Sequence, residues 1–255
     1  RLSSLQGTKN IVEMLHRQGR MHPSICEFVN RNYYNGGLDA VPLPHQQEPL
    51  AFGTRPDDDR WTAFVAGTRM AFISVQADEA EYYTKIESKQ EQTKLAQGLP
   101  NVGDSSKSNK REAETVARLI HTLCQLYSRS GIPFSPCKQI GIIVPFRAQI
   151  AMIRKALAER HIPDTADITI DTVERYQGSQ RDIIIFSTTV SRPYQLSILS
   201  EPVMTDGREI DRKLNVALTR ARKQFFMTGN ETLLRNCTAY RKFLDFLSKE
   251  QILRL

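Results

Sequence analysis

The chain has 255 residues, of which 40% are hydrophobic and 25% charged, with a formal net charge of +7. These values predict a folded protein with a sizeable core, and no apolar run is long enough to span a membrane. The basic excess suits a polyanionic partner, although many proteins of this charge bind nothing acidic. The four cysteines lack the spacing of metal ligands, so reduced thiols and no metal site are expected.

Five short apolar runs predict buried strands. They contain β-branched or aromatic side chains without polar alternation, as expected for strands that are covered on both faces. In chain order they lie over residues 70–75, 140–144, 168–170, 183–186 and 225–227.

Helical patterns alternate with these strands. Asn109 and Glu112 have the spacing of a capping box ahead of an apolar stripe that runs to Tyr127. A second helix is predicted after Pro145; the third and fourth are marked by apolar positions at Leu214, Ala217, Leu218 and Ala221, and at Tyr240, Phe243, Leu244 and Leu247. This alternation predicts an α/β fold with a mostly parallel sheet and helices on both faces.

Two polar stretches do not fit the sheet. Residues 36–66 are rich in Pro, Gly and Asp, and residues 76–108 are rich in Gln, Glu, Lys and Ser. We expect both to be irregular insertions on a single domain over residues 1–255. The second stretch is also a candidate for docking a partner protein.

Three segments contain candidate functional residues. In Gln18-Gly-Arg-Met-His-Pro23, Arg20 stands before a helix that Pro23 can start, so it either points toward a phosphate or is an ordinary surface arginine. In the second segment, 172–182, Gly178 allows a ligand to approach the backbone closely, or simply shapes a connection between strands.

The third segment, 211–223, contains five basic side chains and no acidic one after Asp211. If it is helical throughout, Arg220 and Arg222 lie roughly 160° apart on opposite flanks of the apolar stripe. Either one flank reaches a nucleotide, or the segment is a solvated basic face.

In order and spacing, these segments resemble the motifs of superfamily 1B DNA and RNA helicases, the group of the nonsense-mediated-decay RNA helicase and the DNA replication nuclease-helicases. Gln18 to Pro23 resembles a Gln-Tyr-Arg-Met-His-Pro motif, and 172–182 resembles a motif with a Gln-Gly core. Residues 142–149 resemble a strand-Pro-aromatic-x-x-Gln motif. Leu214-Asn-Val-Ala-Leu-Thr-Arg-Ala-Arg222 is similar to the last helicase motif at every position.

The resemblance implies a RecA-like second motor domain, in which ATP binds between two such domains. It implies that Arg20 and Arg220 reach the γ-phosphate and that Gln177, Gly178 and Gln180 lie by the nucleotide. It further implies contacts with single-stranded DNA or RNA, at the residues Thr172, Pro145, Gln149 and Asn215.

Two positions depart from the family pattern. Gly19 replaces the aromatic residue that stacks on adenine, which weakens base stacking. Gln180 replaces a glutamate, so a ribose contact through a carboxylate is lost, although an amide can still bond a hydroxyl.

The sequence contains no Gly-Lys dipeptide, which a phosphate-binding P-loop needs, and Asp78-Glu79 lies in a polar stretch. We therefore expect the P-loop lysine, the Mg²⁺ ligands and the catalytic glutamate in an upstream RecA-like domain of a longer chain, cytoplasmic or, in a eukaryote, nuclear. The fragment alone is then inactive.

Two functions fit these observations. The favoured one is half of an ATP-dependent helicase or translocase. The alternative is a degenerate RecA-like module that binds nucleic acid or a partner without turnover. The sequence leaves open whether the strand is DNA or RNA.

Overall fold

A computed structural model of the chain describes residues 16–75, 107–176, 178–205 and 208–255. Its strands are β1 (Arg17–Gln18), β2 (Asp39–Ala40), β3 (Met70–Ser74), β4 (Ile140–Val144), β5 (Thr169–Thr172), β6 (Arg181–Ser187), β7 (Pro202–Thr205), β8 (Arg208–Asp211), β9 (Ala221–Gly229) and β10 (Ile252–Arg254). Its helices are α1 (Pro23–Tyr33), α2 (Pro44–Gln47), α3 (Arg60–Gly67), α4 (Lys110–Arg129), α5 (Pro136–Gln139), α6 (Arg147–Glu159), α7 (Leu196–Leu199), α8 (Arg212–Thr219), α9 (Glu231–Leu234) and α10 (Thr238–Phe246).

The centre of the fold is a six-stranded sheet in the order β10-β3-β9-β6-β4-β5, and every neighbouring pair in it is parallel. Successive side chains of a strand point to opposite faces. Ile142 and Ile185 therefore join the core on one face, while Ile143 and Ile184 join the core on the other. Both faces are apolar, which explains why the strand sequences lack polar alternation.

Helices cover both faces. Buried side chains of α3, α4 and α6 pack on one face, and those of α1, α8 and α10 pack on the other. This arrangement confirms the predicted α/β, RecA-like class with a mostly parallel sheet. Two small two-stranded sheets, β1-β2 and β7-β8, lie outside the main sheet.

The first polar stretch contains more regular structure than its composition predicts. Helix α3 starts after Asp59, whose side chain accepts a hydrogen bond of 2.6 Å from the Thr62 N–H. Trp61 is buried, and its indole N–H donates to the Thr122 hydroxyl at 2.8 Å. The aspartates that indicated a loop thus include the cap of a helix that belongs to the core. Most of the second stretch, residues 76–106 with Asp78-Glu79, lies outside the described residues.

The predicted helix over 214–221 is too long. Helix α8 ends at Thr219, Arg220 forms its C-cap, and Ala221 is the first residue of β9. Strand pairing sets this boundary, because the Arg181 N–H donates to the Arg220 carbonyl and Ala221 is in register with Arg181. Arg222 therefore lies on a strand, and the predicted placement of Arg220 and Arg222 on opposite flanks of one helix is wrong.

Candidate functional site

The turn between β1 and α1 presents Arg20 at the amino edge of the sheet. The Gln18 side-chain oxygen accepts hydrogen bonds from the backbone N–H groups of Arg20 and Met21, at 2.9 and 2.8 Å. Helix α2 also stabilises this turn, because the buried Gln46 amide donates to the carbonyls of Gln18 and Met21 at 3.1 and 2.8 Å. The backbone that carries Arg20 is thus fixed before any ligand binds.

The Arg20 guanidinium connects three elements. Its Nε donates to the Gln180 side-chain oxygen at 3.0 Å, and its Nη1 donates to the Thr219 carbonyl at 3.1 Å. Gln180 directly precedes β6, and Thr219 ends α8. Arg20 and Gln180, which are 160 positions apart in the sequence, therefore meet at this edge.

Arg220 lies beside Arg20. Among the described residues, its guanidinium donates to three uncharged oxygens: the Val216 carbonyl at 3.2 Å, the Thr219 hydroxyl at 3.1 Å and the Ser179 carbonyl at 3.5 Å. Burial, and then the positive charge of Arg20, lower the pKa of Arg220. The group nevertheless stays charged at physiological pH, because a free guanidinium deprotonates only far above it.

Neighbouring basic side chains differ from these two arginines in having carboxylate partners. Arg222 pairs with Asp182 at 3.1 Å, and Lys223 pairs with Glu48 at 2.8 Å. Within the described ranges, neither Arg20 nor Arg220 forms an ion pair with a carboxylate. Phosphate oxygens are strong bidentate partners of arginine, so two neighbouring guanidinium groups of this kind are a candidate site for an anion.

The loop next to these arginines is open. Gly178 has a φ of 83°, in the left-handed region that glycine adopts without strain, and no atom lies within 4 Å of the position that a Cβ would occupy. Gln180 is exposed, and its amide oxygen is held by Arg20. Gln177, the third predicted nucleotide contact, lies outside the described residues.

The predicted nucleic-acid contacts lie at the opposite, carboxyl edge of the sheet or near it. Thr172 is the last residue of β5 and is in register with Val144, the last residue of β4. Pro145 therefore follows directly beside Thr172, and both side chains are half-buried. Asn215, in the first turns of α8, is also half-buried, and its side-chain oxygen is buried without a hydrogen-bond partner.

The structure does not place Gln149 on the surface. Its side chain is fully buried, donates to the Asn109 carbonyl at 3.1 Å, and accepts from the Asn109 N–H at 2.7 Å. It also lies 3.4 Å from the Ser187 hydroxyl. Any effect of Gln149 on a bound strand therefore passes through the backbone that it holds.

One short segment, described over residues 173–176 and 178–180, runs from one edge to the other. It leaves Thr172 in a tight turn, in which the Tyr176 N–H donates to the Thr172 carbonyl at 3.0 Å, and it reaches Gln180 at the amino edge. Tyr176 is buried over Gly141 of β4, where an added Cβ would lie 1.8 Å from the tyrosine oxygen. Glycine at position 141 thus lets the segment cross close to the sheet.

Sequence reasoning missed the role of Glu112. Asn109 does cap α4, accepting from the Glu112 N–H at 3.0 Å, but Glu112 does not complete the predicted capping box. Its carboxylate instead accepts from the hydroxyls of Ser187 and Thr228, at 2.9 and 2.8 Å, and from the Thr189 N–H. Burial raises the pKa of Glu112 to about 7, against the opposing effect of these hydrogen bonds. No sequence signal distinguishes such a glutamate from an ordinary helix-start residue.

Two further observations concern metal ligands and membrane-spanning helices. Within the described part of the chain, no three His, Cys, Asp or Glu side chains converge to hold a metal ion. No helix described here is both long and apolar enough to cross a membrane.

Comparison with known proteins defines the family. A family model described as an AAA domain matches residues 1–232, and the chain belongs to that family. The chain is 29% identical over 234 residues to the DNA polymerase alpha-associated DNA helicase A of Saccharomyces cerevisiae, covering 90% of the chain and 29% of that protein. It is 26% identical over 265 residues to the DNA replication ATP-dependent helicase/nuclease DNA2 of Bos taurus, covering 98% of the chain and 22% of that protein.

A third relative is the Regulator of nonsense transcripts 1 homolog of Arabidopsis thaliana, at 28% identity over 225 residues, with 86% of the chain and 14% of that protein covered. The chain thus spans less than a third of the length of these three relatives. Together with the family match, they confirm the superfamily 1 helicase resemblance. Helicases of this kind use ATP and Mg²⁺ and act on nucleic acid.

Proposed function

We propose that this chain is the second motor domain of an ATP-dependent helicase or translocase, and that Arg20 and Arg220 act on the γ-phosphate of ATP bound at the amino edge. The observation that carries the proposal is the pair of neighbouring guanidinium groups, neither of which has a carboxylate partner among the described residues. Their mutual repulsion is relieved when a phosphate lies between them.

Arginine suits this role for a physical reason. Phosphoryl transfer places charge on the oxygens of the transferred group, and a guanidinium in contact with them stabilises the transition state by about 10³–10⁵-fold in rate. Arg220 projects from the C-terminal end of α8 beside the first residue of β9, so rigid elements fix its position. Gly178 and Gln180 lie next to it, where a nucleotide can contact backbone and amide groups.

The domain supplies only part of such a site. Its residues fit the phosphate end of ATP, whereas Mg²⁺ needs oxygen ligands that do not converge among the described residues. We therefore assign the P-loop lysine, the Mg²⁺ ligands and the catalytic glutamate to an upstream RecA-like domain of the same chain. The domain by itself is then inactive toward ATP.

The strand is proposed to pass the carboxyl edge. Thr172, Pro145 and Asn215 are partly accessible there, and hydroxyl and amide groups are suitable donors to phosphate and sugar oxygens. Gln149 acts indirectly, by fixing the backbone at Asn109. The segment 173–180 joins this edge to the arginine pair and is the natural route of coupling between strand and nucleotide.

One observation favours the alternative, a binding module without turnover. An aromatic side chain at position 19 would need a Cβ, and a Cβ added there would lie 3.1 Å from the Cδ1 of Leu43. This crowding supports the expectation that Gly19 weakens base stacking at this position. The presence of both Arg20 and Arg220, without a carboxylate partner in the part of the chain that the structure describes, favours the helicase motor.

The test is ATP hydrolysis by the full parent polypeptide, with and without single-stranded DNA and RNA, beside Arg220→Ala. We expect strand-stimulated turnover that falls by about 10³-fold or more in the variant. Arg222→Ala is the matched control: it removes the same group two residues away, where Lys223 remains within 3.8 Å of Asp182, and turnover should change little.

Two results would contradict the proposal. A parent without turnover on either polymer would favour the binding module. Equal turnover of the wild type and Arg220→Ala would remove the assigned role of the arginine pair. The polymer that stimulates more strongly identifies the strand.

A further inference from the structure

Two large apolar side chains are exposed just after the carboxyl end of β6. Tyr194 is 46% exposed and Ile198 is 41% exposed. They lie four residues apart, on the 3₁₀ turn Pro193–Gln195 and on α7, which continue into one another. At this spacing, side chains of a helical segment are neighbours on the same side. Together they form an apolar surface of an aromatic ring and a branched aliphatic group.

This surface is held in place from beneath. The Gln195 side chain is 1% exposed, and its oxygen accepts from the N–H groups of Ser191 and Arg192, both at 2.8 Å. Leu199 is buried in the core. The segment is thus preorganised, so that binding there costs little ordering of the chain.

The surface is linked through Lys213 to the turn that follows the candidate strand contact Thr172. Lys213 donates through Nζ to the Ile198 carbonyl at 2.9 Å, and the same atom lies 3.5 Å from the Glu174 carboxylate. Glu174 follows Thr172 by two residues, in the tight turn that leaves β5. Contacts through Lys213 therefore link Ile198 to the turn that begins at Thr172.

The charges around the apolar surface disfavour a phosphate group there but do not disfavour an uncharged base. Lys213 lies between two exposed carboxylates, Glu174 at 3.5 Å and Glu201 at 3.9 Å. Two carboxylates around one ammonium leave a net negative charge beside Ile198, which disfavours a phosphate directly over this apolar surface. An uncharged, planar base meets no such repulsion and gains by covering an aromatic ring.

We propose that Tyr194, supported by Ile198, is a stacking platform for an unpaired base of the strand that passes Thr172. The inference rests on the proposed function, since it requires a strand at this edge. Every base has a π-face, so stacking on Tyr194 is tolerant of sequence. It supplies a grip on single-stranded nucleic acid that the phosphate contacts do not.

The experiment uses the full parent polypeptide and single-stranded oligonucleotides of mixed sequence, with binding measured by fluorescence anisotropy. Tyr194→Ala should weaken binding by about tenfold or more, the range of losses measured for base–aromatic stacks. Tyr194→Phe keeps the ring and should bind like the wild type. Met204→Ala is the control: it truncates a side chain that is 67% exposed on β7, outside the platform, and should leave binding unchanged.

An oligonucleotide of abasic sites distinguishes stacking from loss of structure. It should bind the wild type more weakly, and Tyr194→Ala should weaken it no further, because the base that would stack is absent. In addition, a strand carrying 5-iodouracil should cross-link to Tyr194 on irradiation.

The outcomes separate the inference from the function on which it rests. If the wild-type parent binds neither polymer, the proposed function fails and the inference fails with it. If the wild type binds and Tyr194→Ala binds equally well, only the inference is overturned. Equal weakening of normal and abasic strands by Tyr194→Ala would also overturn it, since the effect would not depend on a base.

Discussion

Glu112 is a carboxylate without access to water that links the two central strands. Its oxygens accept hydrogen bonds from Ser187 at the end of β6 and from Thr228 near the end of β9. They also accept from the N–H of Thr189, which has a φ of 62°, a conformation that a β-branched residue rarely adopts. Glu112 thus stabilises an unfavourable turn where the chain leaves the sheet, at the cost of desolvating a charge.

This cost predicts a pH dependence. Burial raises the pKa of Glu112 from 4.5 to about 7, so the folded chain holds this proton more tightly than the unfolded chain. The contribution of Glu112 to the free energy of unfolding is largest below about pH 4.5 and is lost as the pH rises through about 7. The change across the window is on the order of 3 kcal/mol, at one pKa unit per roughly 1.4 kcal/mol.

Glu112→Gln isolates the effect, because an amide of the same shape cannot titrate. Urea unfolding of both chains is measured between pH 5 and 8. The free energy of unfolding of the wild type should rise relative to that of the variant as the pH falls. Burial and then Arg69 lower the pKa of His22 to about 4, so its contribution to the free energy of unfolding has the opposite pH dependence. This contribution is the same in both chains and cancels in the difference between them. A constant difference over this range would mean that Glu112 has an ordinary pKa in the folded chain.

At the scale of elements, α8 connects the two edges of the sheet. It begins with Asp211, which is fully buried and accepts from the Leu214 N–H at 2.7 Å and from the Ser200 hydroxyl. It ends at Thr219, and its C-cap Arg220 is the single residue between α8 and β9. The position of the proposed catalytic arginine therefore depends on a cap about two turns away.

Replacing that cap should affect both stability and turnover. Asp211→Ala removes an N-cap worth about 1 kcal/mol and leaves the Ser200 hydroxyl without its partner, which adds about 1–3 kcal/mol. Asp211→Asn keeps a good cap and is the matched control. We expect the unfolding midpoint and the strand-stimulated turnover of the parent to fall in the alanine variant and to be largely retained in the asparagine variant. An alanine variant as stable as the wild type would show that this cap does not hold α8.

The same element shows where local pattern fails. The periodicity of Leu214, Ala217 and Leu218 correctly predicts a helix, but it continues to Ala221, which belongs to β9. Pairing of β9 with β6 and β3 ends the helix, and these strands are remote in the sequence. Arg222 consequently pairs with Asp182 instead of extending the helical face.

For the whole molecule, the parallel sheet separates the two proposed ligands. Because all six strands are parallel, their starts share one edge of the sheet with the arginine pair and their ends share the other edge with Thr172. The short crossing over residues 173–180 and helix α8 both span this distance. A motor needs such connections, since nucleotide and strand must influence each other without touching.

The net charge of +7 gives a prediction at this scale. We expect basic side chains around the Thr172 end to contact phosphates. In that case the logarithm of the association constant falls linearly with the logarithm of the salt concentration, with a slope of about −0.7 per phosphate neutralised. For about three phosphates this means a loss of about twentyfold between about 50 and 200 mM salt. The measurement is anisotropy of a single-stranded oligonucleotide with the parent polypeptide. Affinity that does not fall with salt would contradict phosphate tracking.

The sequence by itself determined the fold class and the family. Unbroken apolar runs such as Ile140–Val144 indicated strands covered on both faces, and the motif around Arg220 indicated a helicase, because both signals are local. Only the tertiary structure decided which arginines have carboxylate partners, that Gln149 is buried, and that Glu112 holds the central strands. These properties depend on contacts between residues 40 to 160 positions apart, which the sheet register creates and which no local pattern encodes.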